Sequence, residues 1–138
     1  MSELNVVSAG IYAALAAGTA LRNMLAAGTL SIYNTQAIEN ASFPYVVFSL
    51  QASTKLNETP SDQRDDIIFI RGYSKTSMAA AGSIDAAVSN LIDGKTLAIS
   101  GYTNYWTARE SGVSTTENMP DGGYCWMAGA MYRLRIDA

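Results

Sequence analysis

Residues 39–50 read ENASFPYVVFSL, a polar, turn-prone run that meets a proline and then becomes an almost unbroken apolar stretch. Pro44 has no amide to donate to a ladder, so it suits the first residue of a strand, and it drives Phe43 towards an extended conformation. From Tyr45 onward the side chains alternate. Val46, Phe48, Leu50 and Ala52 share one face and Tyr45, Val47, Ser49 and Gln51 the other, so the even-numbered face is expected to meet the core.

Downstream, the hydrophilic segment TKLNETPSDQRDD (residues 54–66) leads to IIFIRGYS (residues 67–74), where Ile68 and Ile70 alternate with Phe69 and Arg71. These two strands are expected to pair antiparallel across a long loop. From about Lys75 to Asp93 the pattern changes to helical spacing, with Ala81, Ile84, Val88, Leu91 and Ile92 on one stripe, Ser74 or Thr76 placed to cap and Gly94 in the stop position. Two further strands, residues 96–110 and 123–137, flank SGVSTTENMPDGG, whose Pro120, Gly122 and Gly123 mark a turn. In the last strand Tyr124, Trp126, Ala128, Ala130, Tyr132, Leu134 and Ile136 line one face, and Arg133, Arg135 and Asp137 the other.

Upstream, Leu4, Val7, Ile11, Ala14, Leu15, Gly18, Leu21 and Leu25 keep the three-and-four spacing of one amphipathic helix, from about Ser2 or Asn5 to Ala27. Gly18 lies within its stripe, where a kink is expected, and Gly28 stands as the stop. The uncharged run from Val6 to Leu21 is shorter than the roughly 20 residues a bilayer needs, and its flank carries Glu3 and no Lys or Arg, unlike a signal peptide. A packed helix is the expectation, with no membrane segment. The fold class is therefore α/β (α+β): one domain over residues 1–138, an N-terminal helix, an antiparallel or mixed sheet of about four or more strands, and a second helix packed on it.

Composition removes several functions. The net charge of -3 provides no cationic surplus for gripping nucleic acid by its phosphates. With no histidine, the commonest general base, the usual catalytic zinc set and every imidazole triad are gone. Asp65 and Asp66 read as solvated loop charges before they read as magnesium ligands. DGGY at residues 121–124 precedes a strand, whereas phosphate-cradling loops precede helices. Cys125, alone in the chain, reads as a buried structural thiol. No cofactor and no enzymatic activity are expected. Tyr102, Tyr105 and Trp106 on one strand and Tyr124, Trp126 and Tyr132 on its partner fit either cross-strand packing or an interface.

The order of elements is a first helix, then Ile32 and Tyr33, a polar link, FPYVVF (residues 43–48), a long loop, a strand, a helix ended by NLIDG (residues 90–94) and a closing hairpin. This order resembles the tail completion or tail terminator proteins of long-tailed bacteriophages over nearly the whole chain. The resemblance implies a structural virion protein, made in the host cytoplasm and resident in the tail or neck. Such a protein forms a ring, usually a homohexamer, that caps the tail tube, stops tube polymerisation and joins the tail to the head connector. Its implied partners are copies of itself, the tail tube protein and the head–tail connector protein, with DNA passing through the ring without specific binding. The family supplies no functional side chains to map onto this chain. The two long polar segments, residues 54–66 and 109–123, are the candidate contacts, through Lys55, Glu58, Asp62, Arg64, Asp65, Asp66, Arg109 and Glu110. Another virion subunit (tail tube or head completion protein) is the alternative, followed by a small-molecule binding domain or enzyme.

Overall fold

A computed structural model describes residues 3–38, 40–56, 63–119 and 122–138. Helix α1 (Glu3–Ala16) buries Val7, Gly10, Ile11 and Leu15. The single long helix expected to reach Ala27 is instead two. Gly18 is extended (ψ 106°), and α2 (Thr19–Met24) starts after it. The reason is packing: the space that a Cβ on Gly18 would take is filled by the Leu91 side chain. Gly28 then takes a positive φ of 58° and opens a 3-10 turn over Gly28–Ser31.

A short strand that the alternation did not reveal, β1 (Ile32–Asn34), lies parallel to β2 (Tyr45–Leu56). The Phe43–Pro44 peptide is cis, and the Pro44 carbonyl accepts from the Ala26 amide at 3.1 Å. The strand starts one residue after Pro44. Strand β3 (Gln63–Ser74) pairs antiparallel with β2 as far as Leu56 and Gln63. Most of the expected loop 54–66 is therefore strand, and only residues 57–62, outside the described residues, separate the two arms. Helix α3 (Met78–Ile92) is capped by Ser77, whose hydroxyl accepts from the Ala80 amide at 3.1 Å, in place of Ser74 or Thr76. Gly94, at φ 70°, ends it as expected.

The expected strand 96–110 is split by a turn at Ser100 and Gly101 (φ 81°) into β4 (Ala98–Ile99) and β5 (Tyr102–Asn118). Here too a supposed loop is ladder: residues 111–118 pair rung by rung with β6 (Tyr124–Asp137). The polar residues of this stretch have water on both faces, so no apolar alternation marked the strand.

The six strands form one mixed sheet in the order β1-β2-β3-β6-β5-β4, curled as a half-barrel around the helices. One face carries the main core: Val46, Phe48, Ile68, Ile70, Ala130, Tyr132, Leu134 and Ile136 against α1 and α3. An extra residue at Gln51, between the rungs Leu50–Ile68 and Ala52–Ile67, reverses the facing of β2. Ala52 is therefore exposed, contrary to the expected even-face core, and Ser53 turns inward opposite Asp66. On the opposite face Val47, Tyr73, Cys125 and Met127 form a smaller cluster, and Cys125 is the buried thiol the sequence suggested.

The half-barrel is bridged by α1, which meets β1 and β2 on one side and β4 on the other. A Cβ on Gly10 would stand 2.8 Å from the Ala98 carbonyl oxygen. Gly82, midway along α3, has open space around it. Both positions gain helix propensity from alanine, by about 0.5–1 kcal/mol, but only Gly10→Ala forces a methyl into fixed backbone, at a cost of about 1–3 kcal/mol. Denaturant unfolding is expected to show Gly82→Ala raising the midpoint and Gly10→Ala lowering it.

Candidate assembly interface

The outer face of the sheet bears charges where β3, β6 and β5 run side by side. Arg133 of β6 donates to Asp65 of β3 at 2.5 Å and to Glu110 of β5 at 2.9 Å. These hydrogen bonds, to Glu110 first and then to Asp65, raise the pKa of the Arg133 guanidinium. Asp65 and Glu110, expected on two separate loops, are thus brought into one row across three strands. Arg135 packs over the Trp106 ring at 4.9 Å beside them. Tyr105 and Trp106 are exposed, and the Tyr105 hydroxyl donates to Gln63 Oε1 at 2.9 Å.

Two other expected contact residues point inward. Arg109 donates to both Asp85 oxygens of α3, at 2.9 and 2.8 Å, and to the buried Tyr132 hydroxyl at 3.3 Å. Its pKa is raised, chiefly by the Asp85 hydrogen bonds, and the pair ties α3 to the sheet. Asp66 is fully buried beside Ser53, whose hydroxyl donates to Glu3 at 2.9 Å. Lys55 is exposed on β2 opposite Arg64, while Glu58 and Asp62 lie outside the described residues.

The aromatic residues divide. Tyr132 belongs to the core, whereas Tyr124 is exposed and meets Trp126 edge-on at 5.2 Å. A second row that strand pairing alone assembles runs over β1, β2 and β3: Tyr33 is 5.8 Å from Tyr45, which stacks on Tyr73 at 5.0 Å. With Phe43, Arg71 and Met119, Tyr45 and Tyr73 of this row line an outer-face groove of about 620 Å³. The Tyr73 hydroxyl donates to Glu117 at 3.4 Å, and burial first of all pushes its pKa up to about 12. Among the described residues no cluster of His, Cys, Asp and Glu is placed to hold a metal, and no helix is long and apolar enough to cross a membrane.

With this geometry in place, comparison with known proteins is direct. The family model for tail completion protein gp17 matches residues 9–124. The chain belongs to that family. It is a structural protein of the phage tail, and its place is the virion. A solved chain from the virion of a native gene transfer agent particle shares the fold at TM-score 0.76 and 16% identity, over 99% of this chain and 98% of that one. A second solved chain has TM-score 0.56 at 9% identity, over 97% and 96% of the two chains. No curated protein matches the sequence.

The buried Asp66 makes stability depend on pH. Burial, followed by the facing Glu3 charge from α1, pushes its pKa up to about 7 against the opposing pull of Ser53 and Arg64. The native state then binds a proton that the unfolded chain, with an ordinary Asp pKa near ~3.9, releases, so stability falls as pH rises from about 4 to 7. Asp66→Asn is expected to remove that decline, giving a variant that gains on the native protein as pH rises. Parallel unfolding-midpoint profiles for the two proteins would contradict the assignment.

Proposed function

We propose that the chain assembles head-to-tail into a closed ring of six copies that caps the tail tube, stops its polymerisation and joins it to the head connector. Membership of the tail completion family over residues 9–124 is the observation that carries this reading. The subunit's form is compatible with it, since a cyclic ring needs two unlike patches per copy. The chain offers a charged and aromatic sheet face on β3, β6 and β5 and a separate β1–β2 edge. DNA passes through the bore without being held, in keeping with a net charge of -3.

Within this assembly Lys55, Arg64, Asp65 and Glu110 act at subunit or tube contacts, as do Glu58 and Asp62 on the connection between β2 and β3. Arg109 serves the contacts indirectly, by fixing α3 on the sheet, and Asp66 does so from its buried place beside Ser53, which ties α1 to β2 through Glu3. The charged side chains set register and reject wrong partners more than they add affinity.

The reading predicts a discrete hexamer by native mass spectrometry, and arrest of tube growth when the ring is added to polymerising tail-tube protein. Long open-ended stacks of the chain itself would instead identify a tube subunit. It also assigns no turnover, on the strength of the missing histidine. Metal-dependent nuclease or hydrolase activity lost in Asp65→Ala or Asp66→Ala would overturn that part.

A further inference from the structure

The upper part of the outer edge of β5 is covered by its own chain. Gly94 donates to the Thr107 carbonyl at 3.0 Å, the Arg109 amide donates to Asp93 at 3.0 Å, and Asn104 accepts from the Leu97 amide at 2.7 Å. Beyond Glu110 that cover stops. Among the described residues Ser111–Asn118 pairs only with β6, all eight of its residues are exposed, and one of them, Glu117, is charged. Edge strands are ordinarily blunted by lysine, proline, brevity or a bulge, and this one, after the irregularity between Arg109 and Ser111, runs eight residues with no lysine or proline.

On the other side of the sheet, β1 covers β2 only from Val46 to Phe48. Thr35, at φ 70°, then turns the chain away, and the β2 edge continues without a strand partner among the described residues. Along that edge runs a groove of about 410 Å³, walled by Leu4 and Ser8 of α1, by Thr35, and by Leu50, Ala52 and Ser53 of β2. No described residue lining it carries a charge, and its Ser53 is hydrogen-bonded to Glu3.

We propose that Ser111–Asn118 of one copy enters this groove on the next copy and adds as a strand to β2, so that ring closure is a continuous backbone ladder. The inference rests on the ring reading above and names its contact. Three observations favour a second copy as the occupant. An uncharged slot faces a nearly uncharged strand. Successive antiparallel pairings make β5 run opposite to β2, so neighbouring copies related by rotation about the ring axis meet antiparallel without being inverted. The offset is also right for closure. Ser114, Ala128, Gly72 and Val46 share a rung, whereas the groove centres near Gln51 and Ala52. The resulting stagger of about five residues, roughly 17 Å, per four strands spanning roughly 19 Å tilts the strands by about 40°, within the range that closes barrels.

The test is disulfide trapping in the full chain carrying Ser114→Cys and Ala52→Cys, with the buried Cys125 left in place. Oxidation is expected to give a ladder of covalent multimers ending at the ring, with neither single variant forming it. In parallel, Val113→Lys with Thr115→Lys, on exposed side chains, should leave circular dichroism and the unfolding midpoint unchanged but leave the protein monomeric where the native chain forms rings. Rings that form undisturbed in the lysine variant, without trapping in the cysteine pair, would overturn the contact while the ring reading stands. Covalent dimers from Ser114→Cys alone would overturn it in favour of two β5 edges pairing. A native chain that stays monomeric with and without tube protein would remove both readings.

Discussion

A six-stranded sheet curled into a half-barrel has an open mouth, and α1 spans it. The helix meets β1 and β2 along one margin and β4 along the other. Gly10 makes the second contact possible, because backbone meets backbone where any side chain would stand within 2.8 Å of the Ala98 carbonyl oxygen. Val7, Ile11 and Leu15 are thereby set among the core residues of β2, β3 and β6. The break falls at Gly18, where the space a Cβ would take is held by Leu91 of α3 and the backbone is extended. Absence of a side chain, at two positions eight residues apart, lets α1 and α2 pack as closely as they do.

The sequence made legible those elements whose two faces differ. Alternation after Pro44 placed the start of β2 within one residue, three-and-four spacing located α3, and the parity of the last strand sorted core from charge. Elements without that contrast stayed hidden. The stretch 111–118 has water on both faces, and β1 is three residues long, so neither carries a periodic signal. The bulge at Gln51 defeated extrapolation differently, by reversing the phase in mid-strand where no glycine or proline announces it.

The same distinction applies to the candidate contact residues. Asp65 and Glu110 are neighbours only through the β3–β6–β5 register, a long-range fact that spacing along the chain does not encode. Asp66 was legible in principle. It continues the even series of Ile68 and Ile70, so alternation alone carries it inward once the strand is extended by two residues. Arg109 required the register again, since its partner Asp85 is 24 residues away on α3.

The charged row and the open edge suit different tasks. Arg133 already pairs with Asp65 and Glu110 within the subunit, and Arg135 stands 3.9 Å from Asp65, so the central charges of the outer face are largely neutralised before any partner arrives. A face of that kind steers an approaching subunit weakly, and its ion pairs, partly exposed, are screened at physiological salt. Geometry then adds to the selectivity that the charged side chains supply. A backbone ladder accepts a partner only at whole-residue steps, and a one-residue slip presents every side chain to the wrong side. For a closed ring of the kind proposed, this would be a more exacting criterion than charge, because an error in register would change the stagger and with it the tilt on which closure depends. A ring joined by strand edges would be closed or absent, with few intermediate sizes stable.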